Sequence, residues 1–446
     1  MPTSRQQEQL DKINATTGDN NRRILLSGAH VITMDAQGEF VGDVLIAGDR
    51  IEALGPGLAA RVDGNAIVVD VAGSVVIPGL VDSHIHAWQG QLRGMAPDAT
   101  FADYMALTHG KVGKAYRPQD MAIAERLTAA QALNAGTTTI VDNSHNSRSA
   151  EHSDAAIEAL RGSGIRAVYA AGPAQEGDHQ HQLPADVLRL RDTYSCADGL
   201  ITIRLMDSWP TLESWAFAAE HDIDVSSEIG GWITDSEALL TSGLLRPGHT
   251  LNHCSGLSDK SWAAIADSGA AVNVVPRSDS NLGLGAFIPI LAVNRRGVQE
   301  GISSDNEMCY AHDLFTEMRV LQTVQRGLSF GEMYSGAADS PAPYEALDAL
   351  RAATVGGALN AALSDQIGTL AAGKKADLVV LSLDRVNTRI SGSAVGSVVN
   401  FAGIANVDAV FVNGAVAKWG GDLVGLDYES LARAGEASKE YLLANS

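Results

Sequence analysis

Short apolar runs separated by glycine and aspartate open the chain after a polar start: ILLSGAHVITM, VGDVLIAGDRIEALG and AIVVDVAGSVVI follow one another from Ile24. Runs of four to six β-formers bounded by turn residues predict the strands of a small sheet. The same texture returns late in the chain, in ADLVVLSL (376–383) and VDAVFVNGAVAKWGG (407–421). Between the two regions the pattern changes. Strand-like runs that end in polar residues alternate with long helical stretches such as PQDMAIAERLTAAQALNAG (118–136).

Eight such runs occur: LVDSH (80–84), TTTIVD (137–142), RAVYAA (166–171), LITIRL (200–205), IDVSS (223–227), TLNH (250–253), AAVNVV (270–275) and VQEGISSD (298–305). Eight strand–helix units over roughly 290 residues predict an α/β fold, a (β/α)8 TIM-like barrel. No glycine-rich phosphate loop follows the first strand, which disfavours the open doubly wound sheet. The expected organisation is a polar tail (1–23), a discontinuous β-sandwich built from both termini (24–78 and 369–425), a barrel (79–368) and a C-terminal helix or tail (426–446). Barrel active sites lie at the C-terminal ends of the strands. The positions to watch are therefore His84 and His86, Asp142 and His145, Ser226, Ser227 and Glu228, His253, and Asp305.

Charge and composition narrow the partners. The 446 residues carry 32 Lys and Arg against 53 Asp and Glu, a net charge of −21, which argues against nucleic acid or an anionic membrane as the main partner. Three dispersed cysteines make no disulfide framework, and no stretch is apolar enough for a membrane span. The polar start MPTSRQQEQLDKINATTGDNNRR has no apolar core, so it is not expected to be a secretory signal. It is expected to be a loose tail or a helix docked on a neighbouring subunit. These features lead to the expectation of a cytoplasmic protein acting on a small molecule.

His84 and His86 stand two apart in a strand, so both imidazoles project to one face and suit a divalent metal such as zinc or iron. HxH alone is a weak signal, and HQH (179–181) in a polar loop is read as solvated. The context VVIPGLVDSHIHAWQGQLRG resembles the start of the amidohydrolase superfamily barrel. LNHCSGLSD (251–259), VPRSDSNLGLG (275–285), GISSDNEMCYAHDLFTEMR (301–319) and GKKADLVVLSL (373–383) are similar to later segments of that family in order. The likeness spans about 24–420 and is nearest to the chlorohydrolase/cytosine-deaminase-like branch. It implies metal ligands His84, His86 and Asp305, with Asp305 also taking a proton from water, His253 at the attacking water or substrate, and Glu228 as the acid for a departing nitrogen. Homo-oligomerisation is a further implication.

The resemblance breaks at the fifth strand, where the branch carries another metal histidine. In HDIDVSSEIGGW (221–232) that place falls on Val225 or Ser226, neither a good ligand. One divalent metal (zinc, or iron, manganese or cobalt) is expected on the incomplete set, with His253 or Glu228 moving in. The alternative is a metal-independent or weakly metal-binding lyase, isomerase or dehydratase using the same His/Asp/Glu groups in acid–base chemistry. A non-catalytic binding homologue is the third reading. His145, Asn146, Trp88, Gln89 and Ser226 are candidate substrate contacts, with Tyr104 and Trp232 as further aromatic candidates. Cys254 is read as packing, and Cys309 as reachable but without an adjacent base. The expected reaction is hydrolysis of a C–N or C–X bond on a small N-heterocycle or amide.

Overall fold

The computed structural model describes residues 4–16, 19, 22–62, 64, 66–390 and 392–446. All eight apolar runs form strands: Leu80–Ile85, Thr137–Ser147, Arg166–Pro173, Ile201–Asp207, Val225–Ile229, His249–His253, Ala271–Val274 and Glu300–Ile302. They pair in sequence order in one parallel sheet, with helical segments after each strand. The ring closes through main-chain bonds at the site itself. Asp305 N donates to His84 O at 3.0 Å, and His86 N donates to Asp305 O at 2.7 Å. Asp82 reinforces this seam by accepting from Ser304 N at 3.2 Å and Ser304 Oγ at 2.5 Å. The fold is thus the expected (β/α)8 barrel.

Alternation along each strand sorts side chains between the axis and the helices. On the fifth strand Val225 and Ile229 join the apolar layer under the helices, and Ser227 accepts from Trp215 Nε1 at 3.3 Å. Ser226 and Glu228 are left facing the axis. At the other end of the barrel Val81, Val141 and Val168 meet Ala358, Ala361, Leu363 and Ile367, so the base is plugged by apolar side chains.

Both chain ends supply a second, nine-stranded mixed sheet. Arg23–Ile32 pairs antiparallel with Glu39–Ala47 and parallel with Ser74–Pro78, which in turn pairs antiparallel with Leu378–Ser382 from the far end of the chain. The expected sandwich is a single hydrogen-bonded sheet around its own core, which includes Leu26, Val44, Val76, Leu378 and Phe411. Gly79 joins this sheet to the first barrel strand, where a Cβ would stand 2.0 Å from Thr138 Oγ1. No side chain fits that junction.

The N-terminal segment differs from the expectation of a loose tail or a contact with another subunit. Ser4–Ala15 is a helix whose Leu10 and Ile13 enter the core of the chain's own sheet, and Trp419 Nε1 donates to Gln6 O at 2.8 Å. Residues 1–3, 17, 18, 20 and 21 of the expected tail lie outside the described residues. The C-terminal helix Tyr428–Ala444 packs on the first barrel helix, Pro118–Asn134: Ser438 Oγ donates to Asp120 Oδ1 at 2.7 Å, and the Arg117 guanidinium lies 3.3 Å from the Tyr441 ring centroid. Among the described residues no helix is long and apolar enough to cross a membrane.

Candidate active site

The C-terminal ends of strands one, five, six and eight bring His84, His86, Glu228, His253 and Asp305 together. His84 Nε2 lies 3.3 Å from His86 Nε2 and 3.2 Å from Asp305 Oδ1, and His86 Nε2 is 3.4 Å from the same oxygen. Glu228 Oε1 is 3.6 Å from His84 Nε2, and Glu228 Oε2 is 3.1 Å from His253 Nε2. Ligand atoms of His84, His86 and Glu228, and of His84, His253 and Asp305, form two triplets, each within 4.8 Å.

These groups suit a divalent cation. His86 Nδ1 must donate to Asn143 O at 2.8 Å, which leaves the Nε2 lone pair facing the cluster. His84 Nδ1 is 2.9 Å from the Asn143 carboxamide, whose Oδ1 otherwise has no partner. With that oxygen accepting from Nδ1–H, His84 also turns a lone pair inward; the two amide orientations are isosteric. Both Glu228 oxygens are enclosed, and neither has a partner in hydrogen-bond geometry. Asp305 Oδ2 is held by Ser278 Oγ at 2.5 Å and Asn306 Nδ2 at 3.0 Å, so Oδ1 remains for the histidines. Two imidazole lone pairs and two carboxylates gathered in a buried site call for a positive charge.

Without an ion the protons must supply it. Burial disfavours charge on His84, but Glu228 and Asp305 outweigh burial and raise its pKa. His253 is pushed well above its ordinary value despite burial, because the Asp279 carboxylate bonds it, with Nδ1 2.8 Å from Asp279 Oδ1, and the Glu228 carboxylate lies 3.1 Å from Nε2. Burial and neighbouring His84 instead drop His86 to about 4. Burial pushes the carboxyls of Asp305 and Glu228 up, yet the surrounding histidines win and hold both below their ordinary values.

Three backbones at the site are strained. His253, Cys254 and Asp305 have φ of 68°, 56° and 65°, a left-handed region that non-glycine residues rarely adopt. At His253 this turn carries the ring out of strand geometry toward Glu228 and Asp279.

Beside the cluster is a partly open cavity. His145, Tyr104 and Trp232 line it, as do Gln175 and Ser208, each with an enclosed oxygen lacking a partner. Other expected contacts lie elsewhere. Trp88 is fully buried behind His145, and Gln89 is fully buried and donates to the Tyr104 hydroxyl at 2.6 Å. Asn146 is enclosed, with Nδ2 donating to Gly113 O at 3.2 Å. Ser226 is enclosed within the barrel, with Oγ 3.4 Å from Asn252 Nδ2, and Val225 faces away from the axis, so neither stands in for the missing histidine. Glu228 is the strand-five group that reaches the cluster.

Sequence reasoning missed Asp279, Asn143, Ser278, Gln175 and Ser208. Asp279 had a signal, since it lies in the segment after strand seven that matches the family pattern. Gln175 and Ser208 had none, because they sit in loops without a motif. Cys254 is fully buried, Cys309 is half-buried with its thiol pushed by burial and Asp305 to about 12, and the rings of His179 and His181 meet at 3.9 Å, tilted by 50°, in a surface loop.

Comparison with known proteins agrees with this geometry. The model of the Amidohydrolase family matches residues 75–417. A 5-methylthioadenosine/S-adenosylhomocysteine deaminase of Desulforudis audaxviator is 28% identical, covering 94% of this chain and 99% of its own. A 5'-deoxyadenosine deaminase of Methanosarcina barkeri is 26% identical over 94% and 98%. Among solved structures, an adenosine deaminase of Xanthomonas campestris with bound zinc superposes with a TM-score of 0.82 at 22% identity, covering 95% and 99%. An atrazine chlorohydrolase mutant of Arthrobacter aurescens, complexed with zinc and atraton, gives 0.82 at 23% identity over 93% and 99%. The family match over most of the chain, a barrel of the same shape and a histidine–carboxylate cluster at the strand ends place this chain in the amidohydrolase family, as a hydrolase of C–N bonds other than peptide bonds.

Proposed function

We propose that the protein is a metal-dependent aminohydrolase that replaces the amino group of a small N-heterocycle by oxygen, consuming water and releasing ammonia. The observation that carries this reading is the pair of ligand triplets, His84–His86–Glu228 and His84–His253–Asp305, that share His84 beside an aromatic-lined cavity. Deaminase relatives matched over nearly their whole length support the reaction class.

His84, His86 and Asp305 would hold the ion, with Glu228 taking the place the family gives to a strand-five histidine. A divalent cation there, zinc as in the structural neighbours or iron, manganese or cobalt, supplies the Lewis acidity that brings the pKa of water from 15.7 toward about 7. Asp305, with Oδ2 tied to Ser278 and Asn306, accepts the proton of the attacking water through Oδ1. His253, held at Nδ1 by Asp279, whose carboxylate favours its charged form, would donate from Nε2 to the substrate. Asp305 then passes the proton it took from water to the departing nitrogen, His253 recovers its own from the new hydroxyl, and Glu228, ionised at rest, would stay with the ion beside His84 and His253. Trp232 and Tyr104 give a flat ring apolar walls, while Gln175 and Ser208 offer hydrogen bonds to its heteroatoms.

The test is metal analysis of protein purified without chelator, combined with ammonia release from aminated purines, pyrimidines and triazines, 5'-methylthioadenosine included. About one equivalent of a divalent metal, and ammonia release abolished by chelation, are expected. Less than roughly a tenth of an equivalent, with turnover surviving chelator, sinks the reading in favour of direct acid–base chemistry by His84, His253, Glu228 and Asp305.

A further inference from the structure

We propose that Trp88 acts as a positioning residue, fixing His145 as the tautomer that presents an Nε2–H donor to an acceptor atom of the substrate. Trp88 Nε1 lies 3.1 Å from His145 Nδ1. An indole nitrogen can only donate, so Nδ1 holds a lone pair and the single proton of the neutral imidazole sits on Nε2. A protonated His145 would set two N–H groups against each other at this contact.

The indole is not free to adjust. Trp88 is fully buried, its ring meets Tyr116 edge-on at 5.1 Å, and the Tyr116 hydroxyl donates to Trp88 O at 2.8 Å. His145 is held on its other face, stacked on His86 with centroids 3.9 Å apart and planes 23° from parallel. The ring lines the cavity. Its Nε2 makes no hydrogen bond to any described residue and, unlike both ring nitrogens of neighbouring His109, is not enclosed. A donor of fixed direction is therefore left without a protein acceptor where a substrate would lie. None of the residues lining the cavity is a lysine or arginine. The ligand class this fits is an uncharged heterocycle carrying a ring nitrogen or carbonyl oxygen as acceptor.

The inference rests on the reading of this cavity as the active site, but its first test does not need turnover. Protein labelled with [15N]histidine is examined by two-bond 1H–15N correlation, with the His145 signals assigned by their loss in His145→Gln. The wild type is expected to show His145 as the Nε2–H tautomer from about pH 6 to about pH 9, and Trp88→Phe to show a tautomer mixture. An Nδ1–H or cationic His145 in the wild type overturns the proposal even if ammonia release is observed, and a pure Nε2–H signal stands even if it is not. On the heterocycle that releases ammonia fastest, His145→Phe should raise KM about tenfold, and His145→Gln, which keeps an N–H donor, by less. Equal KM values for the two variants would overturn the donor role.

Discussion

Glu228→Gln is the most informative single change, because it keeps the shape of the side chain and removes only its charge. Glu228 Oε1 stands 3.6 Å from His84 Nε2, and Oε2 stands 3.1 Å from His253 Nε2. At an effective dielectric of about 20, a unit-charge pair at these separations is worth roughly 5 kcal/mol before desolvation. Burying the partners takes back much of that, and about 3 kcal/mol is a reasonable remainder for the cluster. At 1.4 kcal/mol per factor of ten, divalent-metal affinity should fall by about 100-fold. The assay is titration with a competing chelator, alongside metal content after dialysis. Ser226→Ala serves as the control, because Ser226 is enclosed within the barrel beside Asn252 and should leave affinity unchanged. A Glu228→Gln protein with wild-type metal content and affinity would refute the assignment of Glu228 to the place of the missing histidine.

Asp305→Asn should lower kcat by roughly 10²–10⁴ while leaving the fold intact, since the barrel seam uses the main chain of residue 305; kinetics and circular dichroism together check this. Arg166→Met removes a bidentate partner, at 2.7 and 3.0 Å, from fully buried Asp377 where barrel meets sheet, and should cost about 3–5 kcal/mol in urea unfolding. Glu125 and Asp142 form a buried carboxyl pair behind the site, both raised by burial, with Asp142 at about 7. A raised carboxyl contributes stability that is complete below its ordinary value of 3.8 and is lost as pH rises through about 7. Glu125→Gln removes one ionisable partner, so its loss of stability between about pH 5 and about pH 8 should be smaller than the wild type's by on the order of 1 kcal/mol.

The parts of the fold that were legible were local. Each barrel strand is a largely apolar run, several of them with a polar end that marks the catalytic face, and His84, Glu228, His253 and Asp305 stand at or just past strand ends. Glu228 illustrates the limit. Resemblance to the family put Val225 or Ser226, neither a good ligand, where the histidine is missing and left His253 or Glu228 to move in; alternation along a short strand decides which side chains face the axis, and the strand's end decides how far each reaches. Trp88 shows another: beside the HxH motif it reads as pocket floor, yet one rotation of the backbone places it behind His145. The polar N-terminal segment offered only Leu10 and Ile13 as an apolar stripe, too little to show which surface would cover it.

By itself the sequence determined the barrel and the discontinuous sheet and put His84, His86, His253 and Asp305 at strand ends, because strand and helix periods are short-range properties; their shared role came from the resemblance to the family. The tertiary structure alone decided that Glu228 enters the cluster, that Asp279 and Asn143 orient its histidines, and that Trp88 sets the tautomer of His145. Those contacts join residues 26 to 144 positions apart. The one to Asp279 is made by His253, whose left-handed backbone, like that of Asp305, is a conformation that surrounding packing must hold.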